Sequence, residues 1–97
     1  MAEILTPTLI RAVRALLHMD QAGLAESSGI SRKTISLIEA NENPPEDPRR
    51  IKVLNDLQLH LEQEWGVEFT FGTKRVGEGV RLKRPYEPKQ SKPKPES

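Results

Sequence analysis

Residues 21–41 read QAGLAESSGISRKTISLIEAN, and the fold turns on how they are divided. Two short helical segments stand on either side of Gly29-Ile30. The first, Gln21 to Ser28, follows Asp20, a residue type that caps helix N-termini, and its inward positions are Leu24 and Ala25. Gly29 comes directly after it and supplies the left-handed conformation that helix ends commonly need. Ser31 caps the second segment, SRKTISLIEA, in which Ile35 and Ile38 are three apart and share a face while Arg32, Lys33 and Ser36 project elsewhere. Two helices crossing steeply within so short a span need a small side chain where they touch and a flexible residue at the turn, here Ala25 and Gly29. Leu24, Ile30, Ile35 and Ile38 then fill the wedge. The first turn of the second segment stays exposed, with Arg32 and Lys33 on a helix end whose dipole favours anions, which suits a DNA groove. The plainer alternative is a helical hairpin inside a bundle, with both cations as ordinary solvated charges.

Upstream, Thr6-Pro7 reads as a helix start, because proline at the first helical position forgoes an N–H that has no partner there. Leu9, Ile10, Val13, Leu16 and Leu17 follow as one apolar stripe, with Arg11 and Arg14 expected on the opposite side. Downstream, Asn43-Pro44-Pro45 stops the helix that begins at Ser31, and Asp47-Pro48 repeats the cap-and-proline start. The next helix runs from Pro48 to about Glu64, with Ile51, Leu54, Leu57, Leu61 and Trp65 as its buried stripe, and Gly66 ends it. Val67, Phe69 and Phe71 alternate with polar residues, as do Val80 and Leu82, which predicts a hairpin over 67–83 closed by the Gly72 to Gly79 loop. Two strands alone are marginal in water and need something to pack on. Residues 84–97, rich in Pro and Lys with little to bury, are expected to be disordered. The expected organisation is therefore a mainly α domain of four to five helices over residues 1–66, followed by the hairpin and the tail.

Composition narrows the function classes. With 97 residues, 35% of them hydrophobic, the chain can bury one modest core. No apolar run approaches the roughly 20 residues that cross a bilayer, and the first residues resemble no secretory leader, so a cytoplasmic place and no membrane partner are expected. There is no Cys, and His18 and His60 alone cannot build an ordinary zinc site, so no metal or other cofactor is expected. Carboxylates such as Glu62 and Glu64, or Glu46 and Asp47, have no nucleophile or metal ligands beside them, which argues against an enzyme. The charge is uneven: residues 1–66 hold seven Lys or Arg against ten Asp or Glu, and residues 67–97 hold eight against four. A domain with this balance can grip DNA only if its cations gather on one face.

The segment resembles the helix-turn-helix of the lambda-repressor and Cro-like family, the XRE family of prokaryotic regulators. The likeness runs from LTPTLIRAVRALL through QAGLAESSGISRKTISLIEANENPP to DPRRI and resumes at GVEF and GVRLKR. It implies a lambda-repressor-like fold and a sequence-specific DNA-binding transcriptional regulator, a dimeric repressor that reads the major groove with the helix at 31–41. By position, Gln21 matches the residue that opens the second helix and binds a phosphate. Arg32, Lys33, Ser36 and Leu37 match the positions that face base edges, with Thr34 beside them. Asn41 and Asn43 match the loop that touches the sugar-phosphate backbone, and Arg49 stands at the start of the fourth helix, within reach of a phosphate. Leu37 departs from the family, which very often has Arg or Gln there. The fourth helix is about one turn longer than the common version, which keeps its apolar stripe in phase. The implied partners are a palindromic double-stranded operator and a second copy of the chain, the latter held through that extra turn and the hairpin. The implied place is the prokaryotic nucleoid. Two alternatives stay open: an antitoxin-type autorepressor that binds a partner protein, and an interaction adaptor that keeps the fold without binding DNA.

Overall fold

The computed structural model describes residues 4–73 and 75–83; the tail expected at 84–97 lies outside the described residues. Four helices come first, α1 (Pro7–Leu16), α2 (Gln21–Ser28), α3 (Arg32–Ala40) and α4 (Pro48–Trp65), and then the strands β1 (Val67–Thr70) and β2 (Gly79–Leu82). Each helix starts at a residue whose side chain accepts a backbone N–H: Thr6 from Leu9, Asp20 from Gly23, Ser31 from Thr34 and Asp47 from Arg49. Pro7 and Pro48 occupy first-turn positions. These local signals place the starts as expected from sequence, since an N-cap satisfies a donor that the helix itself leaves open.

Helix ends follow equally local chemistry, with one exception. Gly29 and Gly66 take positive φ (80° and 67°) and close α2 and α4. At the end of α1 the left-handed position falls on His18 (φ 59°): the His18 N–H bonds Ala15 O at 3.2 Å and the Met19 N–H bonds Arg14 O at 2.8 Å. This paired closure normally uses glycine or asparagine. Helix α3 stops at Ala40, ahead of the prolines expected to stop it, because Asn41 already adopts an extended conformation (φ −103°, ψ 105°).

Fourteen apolar side chains from every helix and from β1 form one core: Leu5, Leu9, Ile10, Val13, Leu17, Leu24, Ile35, Ile38, Leu54, Leu57, Leu61, Trp65, Val67 and Phe69. Ile51, expected in the stripe of α4, is only half-buried, and α4 carries one residue more than predicted. The hairpin is antiparallel, with Val67 opposite Leu82 and Phe69 opposite Val80. Val67 and Phe69 complete the common core, so the helices supply the packing surface that a two-stranded ribbon needs. Two further ties hold the assembly. The Thr6 hydroxyl donates to both carboxylate oxygens of Glu78 at 3.0 Å, joining the hairpin loop to the start of α1. The Trp65 Nε1–H donates to Ser27 Oγ at 3.1 Å, and Ser27 Oγ lies 2.8 Å from His60 Nε2, joining α2 to α4.

Candidate nucleic-acid interface

Helix α3 has two chemically distinct faces. At 100° per residue, Ile35, Ile38 and Glu39 fall on one side and Arg32, Lys33, Ser36, Leu37 and Ala40 on the other. The first three are buried and the last five exposed. Packing against α1 and α2 thus fixes the helix by one face and presents the opposite face whole. Arg32 and Lys33 have no ion-pair partner among the described residues. Leu37, 51% exposed, stands on the same surface. An open depression of about 290 Å³ brings Gln21 at the start of α2 together with Arg32, Lys33, Ser36 and Leu37. Five of the nine residues singled out from sequence therefore share one surface.

The other four do not line that depression. The Thr34 hydroxyl accepts from the Ser31 hydroxyl at 2.9 Å, so its own proton remains available to an acceptor. Asn41 caps α3, and its Oδ1 accepts the Asn43 N–H at 3.0 Å, a turn that shapes the loop after α3. A second depression is lined by Asn41, Asn43, Pro44, Pro45, Glu46, Asp47 and Arg50. The cation beside the two asparagines is thus Arg50. Arg49 is 93% exposed and has its Nε 3.8 Å from Asp47 Oδ1. The sequence reading chose Arg49, and a register difference of one residue on α4 separates it from Arg50.

Beneath this surface lies a polar cluster that the sequence reading missed. Arg14, expected on the solvent side of α1, is four-fifths buried and grips Glu39 with both arms of its guanidinium: Nε to Oε2 at 2.8 Å and Nη2 to Oε1 at 2.9 Å. Its Nη1 reaches Met19 O at 3.3 Å. Glu39, only 6% exposed, is the one buried charged residue among those described. Its Oε1 also accepts from Gln21 Nε2 at 3.2 Å, and its carbonyl accepts from Arg11 Nη1 at 3.0 Å. A carboxylate held this way has its charge compensated and its lone pairs used, which a buried anion requires. Spacing gave only a partial signal: Glu39, four residues after Ile35, falls at the edge of the stripe that Ile35 and Ile38 define, next to exposed Arg32. An acid there demands a cation from a neighbouring element.

Comparison with known proteins assigns a family. The helix-turn-helix family matches residues 10–63, more than half of the chain, and covers α2, α3 and the surface just described. The chain belongs to this family, in its XRE-type form, a family of DNA-binding regulators and not of enzymes. Searches among curated proteins and among solved structures give no match. Among the described residues no helix is long and apolar enough to cross a membrane, and no group of three His, Asp or Glu side chains is placed to hold a metal ion.

Proposed function

We propose that the chain is a sequence-specific transcriptional repressor that binds a palindromic DNA operator as a homodimer, laying the exposed face of α3 in the major groove. In this reading Arg32 and Lys33 approach base edges, where a guanine offers its O6 and N7 acceptors to a cationic side chain. Ser36 adds a short hydroxyl contact, and Leu37 meets a thymine methyl in place of the hydrogen bond that a longer polar residue would make. Gln21, Thr34, Asn41, Asn43 and Arg49 contact the sugar-phosphate backbone around that groove, with Arg50 added to them on its place beside Asn41 and Asn43. Two copies would set their α3 helices about one DNA turn apart, with α4 and the hairpin between them.

The observation that carries the reading is the division of α3: one face buried, the other exposed and carrying two cations that have no ion-pair partner among the described residues. The test is a random-duplex selection with the purified chain, followed by a salt titration on the enriched duplex. The expected result is an enriched inverted repeat, affinity that falls steeply with salt, and loss of selectivity in Arg32→Ala plus Lys33→Ala. Enrichment of no sequence, together with salt-independent binding, would overturn it. A second reading, an adaptor or antitoxin-type protein that docks a partner through this face, draws on the exposed Leu37 and on the exposed acids Glu42, Glu46 and Asp47 in the segment that follows α3. It predicts a co-purifying protein whose capture is abolished by Leu37→Asp.

A further inference from the structure

We propose that Glu39, buried and clamped by Arg14, is a positioning residue for phosphate binding: it holds one hydrogen of the Gln21 carboxamide inward so that the other is presented outward to a DNA phosphate. The inference rests on the DNA-binding reading above. Its basis is the double placement of Gln21. Nε2 of Gln21 reaches inward to Glu39 Oε1 at 3.2 Å, while the same residue lines the outer depression with Arg32, Lys33, Ser36 and Leu37. A carboxamide nitrogen carries two hydrogens in one plane, roughly 120° apart. Fixing one of them fixes the other, and it also decides which end of the amide, donor or acceptor, faces outward. A phosphate accepts hydrogen bonds and donates none, so an amide turned the wrong way would repel it.

Arg14 completes the device. Glu39 Oε1 accepts from Arg14 Nη2 as well as from Gln21, and Glu39 Oε2 is taken by Arg14 Nε, so the carboxylate cannot rotate away from Gln21 without losing its counter-ion. The pair is also neutral, which keeps the anion from opposing the phosphate it serves. Arg11 binds the Glu39 carbonyl at 3.0 Å and ties the same residue to α1 a second time. The end of α3 therefore determines how the start of α2 meets the DNA backbone.

The test is a double-mutant cycle on duplex affinity, with Arg14→Met plus Glu39→Met as one arm and Gln21→Ala as the other. Replacing both members of a buried ion pair by apolar side chains of similar size commonly leaves a fold intact, and circular dichroism checks that here. Each arm alone is expected to weaken binding about tenfold, and the two combined no more than either, since both remove the same charged hydrogen bond. The loss should be equal on preferred and on unrelated duplexes, because a phosphate contact carries no sequence information. Native affinity in the folded Met/Met protein, or losses that multiply, would overturn the inference. Should the Met/Met protein fail to fold, the side-chain amide signals of Gln21 in the wild-type chain, identified by their absence in Gln21→Ala, decide the matter. One hydrogen is expected to shift on adding duplex while its partner stays. If neither shifts, or both shift alike, the positioning role is refuted. A wild-type chain that binds no duplex at all removes the DNA-binding reading and this inference together, whereas a wild-type chain that binds alongside an unaffected Met/Met protein removes this inference alone.

Discussion

The two faces of α3 solve opposite problems with similar residue types. On the inner face a charge, Glu39, is surrounded by partners from α1 and α2; on the outer face two charges, Arg32 and Lys33, have none among the described residues. A charged side chain withdrawn from water must be compensated within the protein, while one left in water need not be. The difference teaches that breaking the inner-face pair should act mainly on stability, and on binding only through Gln21, whereas changes on the outer face should act on binding alone. A helix nine residues long can bear both roles because its neighbours hold it from one side only.

The largest expected effect comes from breaking the inner face. Glu39→Ala strands the four-fifths-buried guanidinium of Arg14 and should lower unfolding free energy in urea by about 3–5 kcal/mol, a loss typical of a buried pair deprived of one partner. A loss below about 1 kcal/mol would place the cluster among ordinary surface pairs and dissolve the contrast. Next, Arg32→Ala and Lys33→Ala should each cost about 1–3 kcal/mol in binding to the preferred duplex if they read bases. Their unfolding midpoints should stay close to wild type, since exposed substitutions usually change stability by no more than about 0.5 kcal/mol. A large loss of stability from either would show that the outer face is structural.

Two smaller effects sharpen the boundary between the faces. Gly29→Ala meets open space, so its cost is purely conformational, about 1–2 kcal/mol for placing a side chain at positive φ. Thermal unfolding would register it, and an unchanged midpoint would mean that the turn relaxes. Leu37→Gln should be the mildest, within about 0.5 kcal/mol in stability, because half of the side chain is already in water. Its readout is preference: in duplex selection it should move the favoured base under that position away from thymine.

Local chemistry was readable along the chain because it depends on near neighbours in sequence. Thr6, Asp20, Ser31 and Asp47 cap helices whose N–H groups lie two or three residues away, and Gly29 and Gly66 end helices through their own φ. The apolar stripes of α1, α3 and α4 and the alternation of β1 follow from the same short-range geometry, as does the exposure of Arg32, Lys33, Ser36 and Leu37. Where local rules compete, boundaries moved: α3 ended at Ala40, ahead of its prolines, and α4 took in Trp65.

The amino-acid order by itself settled where the helices begin, how they turn and which side of α3 meets the solvent, since each follows from bonds and contacts spanning a few residues. Tertiary packing alone decided that Arg14 turns inward to Glu39, that Gln21 joins them across 18 positions of chain, and that Arg50 stands beside Asn41 and Asn43. Those choices pair groups far apart in sequence, and a cation on a helix has many anions within reach until the elements are docked. The physical reason is that a buried charge accepts only the partner that the surrounding packing delivers to it.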